Sequence, residues 1–388
     1  MQIKKVGIIG GGQLAWMMGD AAQKLSLDLI IQTPDPEDPA VAVATEVVYG
    51  EVGDAIATAS LAELCDVIGF ENEFVDLPAL KLLATQGALF RPSLTSLEPL
   101  LDKYHQRCYL QKLGLPNPQF WLLESTVDLD NLATINHSLK YPFVLKARRY
   151  GYDGQGTMII KDQSQLLAMV GKIKNTAFLA EEFIPFTKEL AVIAARSVTG
   201  EIKVYPVVET QQEDQVCQRV FAPAAISEDL ISRAEKIVTT ILADLQVVGL
   251  FAVELFLTPA GQLLVNEIAP RTHNSGHLTI DACLTSQFEQ YLRAIAGQEL
   301  GDASLQTAGA VMVNLLGYPG LKDHLAKNHQ LAQIPHSHLY WYNKTPRPGR
   351  KLGHITVLIP TATPEVTSEE VQKEMKVIAH QIETIWYR

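Results

Sequence analysis

Early in the chain, short apolar runs alternate with helical patterns. Val6–Ile9 reads as a buried strand that runs into glycines, Leu14–Leu25 as a helix, Leu27–Ile31 as a second strand and Cys65–Phe70 as a later one. Strands separated by helix-length segments predict βαβ units and a parallel sheet. Pro34, Pro36 and Pro39 mark an irregular turn after the second strand. A helix is predicted over Leu97–Leu113, with Pro99 in its first turn, Gly114 at its end and Pro116 and Pro118 beyond. A domain boundary is placed near this helix. Downstream the pattern changes. Phe143–Lys146, Thr157–Ile160, Phe178–Phe183 and Leu190–Ser197 read as strands. Val247–Leu257 and Gln262–Glu267 read as a hairpin closed by Thr258-Pro-Ala-Gly261. From Gly309 the chain is again strand-rich, with a Pro/Gly/basic loop at Thr345–Lys351. The fold class expected is therefore α/β followed by α+β, with no internal repeat.

Composition narrows the function classes. The chain has 388 residues, 47% hydrophobic and 19% charged, which is ordinary globular composition and argues against general disorder. That length suggests two or three domains. A net charge of −11 disfavours a general nucleic-acid binder. No stretch approaches the roughly 18 continuous apolar residues that cross a bilayer, and the strand-like start is not a secretory signal. Cys65, Cys108, Cys217 and Cys283 lie far apart, with neither metal-ligand spacing nor disulfide density. A cytoplasmic enzyme is expected, with no membrane or nucleic-acid partner.

Several segments then offer chemistry. Gly10-Gly-Gly-Gln13 follows a strand and opens a helix, which suits either phosphate contact or a bare tight turn. Dinucleotide binding also needs an acidic end to the second strand, but that strand ends Gln32-Thr33-Pro34. Lys146 closes an apolar strand and needs an anionic partner there. Gly151, Gly154 and Gly156 form a loop whose amides suit phosphate, or else a plain glycine-rich hairpin. Glu181, Glu182, Phe183 and Ile184, followed by Glu189, match an extended edge for a base with a carboxylate for ribose; a solvated acidic strand end is the alternative.

Glu254 and Glu267 are the sharpest pair. With a turn centred on Pro259-Ala260, Glu254 lies opposite Val265 and diagonal to Glu267, at about 7–8 Å. Carboxylates so close among apolar residues suit Mg²⁺ between them, or pairing with Arg271. Arg271, His273 and Asn274 follow in a compact polar run fit for a planar anion and proton transfer, or for backbone satisfaction alone. Lys344, Arg347, Arg350 and Lys351 gather positive charge in an acidic chain; they are either a solvated loop or a site for a phosphorylated small molecule.

The order of these motifs resembles the ATP-grasp enzymes, most closely the N5-carboxyaminoimidazole ribonucleotide synthetase family of purine biosynthesis. The resemblance spans nearly the whole chain. It is carried by Lys146-Ala-Arg-Arg-Tyr-Gly-Tyr-Asp-Gly-Gln-Gly156, Asn266-Glu-Ile-Ala-Pro-Arg-Thr-His-Asn-Ser-Gly-His277 and Trp341-Tyr-Asn-Lys-Thr-Pro-Arg-Pro-Gly-Arg-Lys351. It implies a Rossmann-like N-terminal domain over 1–105, a two-lobed ATP-grasp domain over 106–305 and a small β-rich C-terminal domain over 306–388. It implies ATP, with Lys103 and Lys146 on phosphates, Glu181–Ile184 on adenine and Glu189 on ribose. Mg²⁺, or Mn²⁺ in its place, is expected on Glu254 and Glu267. Arg271, His273 and Asn274 are expected near bicarbonate or carboxyphosphate. Aminoimidazole ribonucleotide is expected on Gln13, Glu73, Tyr152, Asp153, Lys344, Arg350 and Lys351, with Asp153 as base, in a homodimer.

The sequence departs from the family's pattern at three points: Tyr150 where glycine is common, Lys103 where arginine is common, and Ala269 where related ATP-grasp enzymes often carry asparagine. Rival readings are a formate-using purine transformylase of the same fold, an NAD-dependent oxidoreductase using Gly10–Gly12, and a silent nucleotide-binding regulator.

Overall fold

A computed structural model describes residues 2–123, 139–149, 156–170, 177–321, 324–360 and 367–388 of the chain. The N-terminal part is a parallel sheet of β1 (Lys5–Ile9), β2 (Asp28–Thr33), β3 (Glu46–Tyr49) and β4 (Val67–Phe70), in the order β3-β2-β1-β4. β1, β2 and β4 are almost wholly buried. Continuous apolar runs are what a parallel sheet covered on both faces requires. The helix expected over Leu14–Leu25 is two pieces, Gln13–Trp16 and Gly19–Lys24. The Met18 amide donates to Ala15 O, one residue short of an α-turn. A Cβ on Gly19 would lie 2.6 Å from Val43 Cβ, so glycine lets the second piece pack closely there.

The helix expected over Leu97–Leu113 likewise splits into Leu94–Leu97 and Lys103–Lys112. The apolar pattern runs on, but Asp102 stops it. Its carboxylate accepts the amides of Tyr104 and His105, so it begins a new helix instead of continuing an old one.

Next comes a small antiparallel sheet: β5 (Phe120–Leu123), β6 (Phe143–Ala147), β7 (Thr157–Ile160) and β8 (Phe178–Glu182), in the order β5-β8-β6-β7. Leu123, Phe143, Leu145, Leu166 and Phe178 form its own compact core.

The main sheet has nine strands among the described residues. They are β9 (Lys188–Arg196), β10 (Ile202–Val204), β11 (Val208–Glu213), β12 (Val216–Ala222), β13 (Gly249–Leu257), β14 (Leu263–Ala269), β15 (Gly309–Leu316), β16 (Ser337–Trp341) and β17 (Lys351–Ile359). The order is β14-β13-β9-β11-β12-β15-β17-β16, with β10 also on β9. The sequence pattern did not single out β10, β11 or β12. The C-terminal strands do not form a sheet of their own; β15 pairs antiparallel with β12 and extends the central sheet. Two helices accompany them, His324–Leu331 and Ser368–Tyr387. The second opens on a capping box, Thr367 with Glu370, and buries Val371, Met375, Ala379, Ile382 and Trp386 along one stripe.

The β13–β14 hairpin corrects the expected register. Gly261 is at φ +74° and its amide donates to Thr258 O, so the connection is one residue longer than a two-residue turn. Leu255 then faces Val265, and a bulge at Asn266 places Glu254 directly opposite Glu267. The carboxylates are cross-strand partners, not diagonal neighbours.

Candidate active site

A cleft of about 800 Å³ runs between the small sheet and the main sheet. One end is bounded by Gln13, Glu71 and Glu73 of the N-terminal part, and Lys351 reaches it from the C-terminal part. Lys103, Lys146, Glu181, Glu182, Phe183, Ile184, Glu189, Glu254, Glu267, Arg271, His273 and Asn274 all line it. Candidates scattered along the sequence are thus brought to one place. Gly151, Tyr152, Asp153 and Gly154, and Tyr150 beside them, lie outside the described residues. Gly156 closes that loop at φ +81°, where a side chain would be strained, and its carbonyl accepts the Ala147 amide.

Lys146 has the anionic partner its burial demands. Its ammonium lies 2.8 Å from Glu181 Oε2, while Arg107 Nε donates to Glu181 Oε1 at 2.6 Å. Burial drives the Glu181 carboxyl up, but the two cations outweigh it and hold the group at about 2. Burial pushes the Lys146 ammonium below its ordinary value, against the pull of Glu181. The side chain of Glu181 is therefore an ion-pair partner, and only its main chain is available to a base. Glu182 accepts the Gln119 amide at 2.9 Å.

Three carboxylates crowd the main-sheet wall. Burial, then repulsion from Glu267, raises Glu254 to about 7. Burial, then Glu254, raises Glu189 to about 7 as well. Glu267 stays below its usual value: burial opposes this, but the Lys103 ammonium pairs with it closely. Asn266 bridges the two walls, accepting from Lys146 Nζ at 3.0 Å and donating to Glu254 at 3.2 Å. Two facing carboxylates, one made basic by burial and by the other, fit a divalent cation. No set of three or more His, Cys, Asp or Glu converges as metal ligands among the described residues. A cation here would take the rest of its shell from a bound ligand.

Arg271 meets Glu73 bidentately through its Nε and Nη2, at 2.6 and 3.2 Å. His273 presents Nε2 at 3.3 Å from Glu254 and Nδ1 at 2.9 Å from Ser275 Oγ. Asn274 exchanges two amide hydrogen bonds with buried Asn314 of β15, at 3.0 and 2.8 Å. Lys344 donates to Gln13 across 331 residues of sequence. Arg350 donates to Thr345 O at 3.1 Å within its own loop and does not line the cleft.

The Gly10–Gly12 turn packs around the Glu71 carboxyl group, which burial pushes above its ordinary value. A Cβ at Gly10 or Gly12 would fall 2.5 or 2.4 Å from the Glu71 carboxylate, which accepts the Gly12 amide. Of the two readings left open for this turn, the geometry favours close packing around a side chain.

Sequence reasoning missed Glu71, Arg107, Asn266 and Asn314. Arg107 left a signal, since it stands four residues after Lys103 on one helix face. The other three become site residues only through pairing and loop closure.

Three family models match the chain: a ribonucleotide synthetase preATP-grasp domain over residues 3–98, an ATP-grasp domain over 108–288 and a phosphoribosylaminoimidazole carboxylase C-terminal domain over 310–366. The N5-carboxyaminoimidazole ribonucleotide synthase of Synechocystis sp. is 49% identical, over 100% of this chain and 99% of its own. The phosphoribosylaminoimidazole carboxylase of Saccharomyces cerevisiae is 37% identical over 92% of this chain and 64% of its own. Among solved structures, carboxyaminoimidazole ribonucleotide synthase of Aspergillus clavatus with ATP superposes with a TM-score of 0.90 at 32% identity, covering 98% and 99% of the two chains. The same enzyme with ADP and 5-aminoimidazole ribonucleotide gives 0.89 at 31%, with the same coverage. No helix among the described residues is long and apolar enough to cross a membrane.

Proposed function

This chain belongs to the N5-carboxyaminoimidazole ribonucleotide synthase family of ATP-grasp ligases, and on that premise we propose how its residues perform the family's reaction. The reaction is ATP-driven carboxylation of 5-aminoimidazole ribonucleotide to N5-carboxyaminoimidazole ribonucleotide in purine biosynthesis, giving ADP and phosphate. In this reading the nucleotide lies along the cleft. Its base meets the main chain of 181–184, its ribose meets Glu189, and its phosphates meet Lys103, Lys146 and the loop of Gly151, Gly154 and Gly156. Glu254 and Glu267 would hold Mg²⁺, or Mn²⁺ in its place, which when bound neutralises phosphate charge. Lys146 can turn to a phosphate because Arg107 remains to balance Glu181.

A bicarbonate oxygen attacks the γ-phosphorus, the bond to the ADP oxygen breaks, and carboxyphosphate forms. Arg271, His273 and Asn274 border the place assigned to it. The exocyclic amine then attacks the carboxyl carbon, phosphate leaves, and Asp153 takes the amine proton. Gln13, Glu73, Tyr152, Lys344, Arg350 and Lys351 are assigned to the ribonucleotide. The Arg271–Glu73 fork then ties the bicarbonate site to the ribonucleotide site. Closure over the cleft keeps water from the acyl phosphate. We place the enzyme in the cytoplasm as a homodimer, with domains over 1–105, 106–305 and 306–388.

The observation that carries this reading is Glu254 facing Glu267 beside Lys103 and Lys146 in the cleft. The test is ADP release with each reactant left out in turn. Turnover is expected only with bicarbonate and ribonucleotide both present, and formate is not expected to replace bicarbonate. Robust ADP release without the ribonucleotide would contradict the reading.

A further inference from the structure

Two segments that carry candidate ribonucleotide contacts converge on one buried imidazole. His354 on β17 is fully buried, with Nδ1 2.6 Å from the Tyr342 hydroxyl. Tyr340 stacks on its ring at 4.7 Å and 8°, and the His277 ring lies 5.0 Å away. Its Nε2 is buried and meets no partner among the described residues, so the Tyr342 hydroxyl is its polar anchor. Tyr342, itself 1% exposed, passes the constraint on in two directions. Trp16, in the short helix that begins at Gln13, meets the Tyr342 ring edge-on at 6.1 Å. The Lys344 ammonium lies 5.6 Å from the ring centroid, and Lys344 also reaches Gln13. The ring thus seats both ends of the Gln13–Lys344 contact.

We infer that His354 and Tyr342 are positioning residues for the ribonucleotide: the hydroxyl–imidazole contact fixes the Tyr342 ring, and the ring fixes Lys344 against Gln13. A buried tyrosine hydroxyl without a partner is costly, so losing this contact lets the ring leave its place. Tyr342, His354 and Lys344 do not line the cleft but Gln13 does, so both residues act through the Lys344–Gln13 contact. The inference rests on assigning Lys344 and Gln13 to the ribonucleotide.

Steady-state kinetics with ribonucleotide and ATP varied separately test it. Tyr342→Phe and His354→Ala should each raise KM for the ribonucleotide about tenfold, or about 1.4 kcal/mol. KM for ATP and kcat should stay within about twofold, since only uniform ribonucleotide binding is weakened. His354→Asn, whose amide can meet the same hydroxyl, should recover most of the loss. The double variant should be no worse than either single one. An equal rise in both KM values, or an unchanged ribonucleotide KM in the two variants, would overturn the inference. If Tyr342→Phe does not fold, the contrast between His354→Ala and His354→Asn decides alone. Lys344→Ala separates the two levels. If it leaves the ribonucleotide KM unchanged, the subsite assignment fails; if it raises KM while Tyr342→Phe does not, only the positioning role fails.

Discussion

Glu181 and His354 show two outcomes of burial, one outweighed by neighbouring charge and one not. Glu181 stays ionised because Arg107 and Lys146 both reach it, and it sits at about 2. Burial alone pushes His354 down to about 3, and burial also drives His277 well below the ordinary imidazole value. An acid-induced loss from these two histidines follows. The unfolded chain takes up protons on both histidines as pH falls below about 6.5, while the folded chain does not. The histidines' contribution should therefore fall with pH in that window, by up to about 1.4 kcal/mol per pH unit each, while Glu189 and Glu254, raised to about 7, contribute in the opposite direction. Below about 4.5 Glu181 adds to the loss in the same direction. Urea midpoints measured from pH 7 to pH 4.5 check this by difference: the parent should lose stability relative to His354→Gln as pH falls, and a difference that does not change with pH would contradict the assignment. Residue types such as Lys146 and Glu267 announced themselves in the sequence. Asn266, which bridges Lys146 to Glu254, did not, because it acquires that role only when the strands pair.

At the scale of elements, the β13–β14 hairpin decides the site. Leu263 and Val265 alternate into the core, but the next core residue is Ile268, three positions on instead of two. That slip in the apolar alternation is the bulge, and it was present in the sequence to be read. It turns Glu267 to the same side as Glu254 and leaves Asn266 to bridge Lys146 and Glu254. Asn266→Ala keeps the register and removes only the bridge. Its kcat is expected to fall about tenfold with a stability loss of about 1 kcal/mol, measured by turnover and urea titration. Full activity in that variant would mean that Lys146 is placed by Glu181 alone. The two helices that the apolar pattern ran together, at Met18 and at Asp102, failed for a related reason. Periodicity reports which face is buried, whereas a capping carboxylate or a shortened turn decides where the helix breaks.

For the whole molecule, the order of motifs foretold three parts, while the way they join was hidden. Pairing of β12 with β15 makes the C-terminal strands a continuation of the central sheet, and Asn314 of β15 then holds Asn274 of the site loop. Long-range strand pairing of this kind has no local signature, so no sequence window could supply it. On the proposed mechanism, the three parts border one cleft so that a short-lived acyl phosphate formed at the nucleotide can be consumed at the ribonucleotide. The chemistry leaves a mark that can be followed. With ¹⁸O-labelled bicarbonate, the oxygen that attacks the γ-phosphorus departs with the phosphate, so each inorganic phosphate released should carry one labelled oxygen. Phosphate released during carboxylation with no label from bicarbonate would contradict the account.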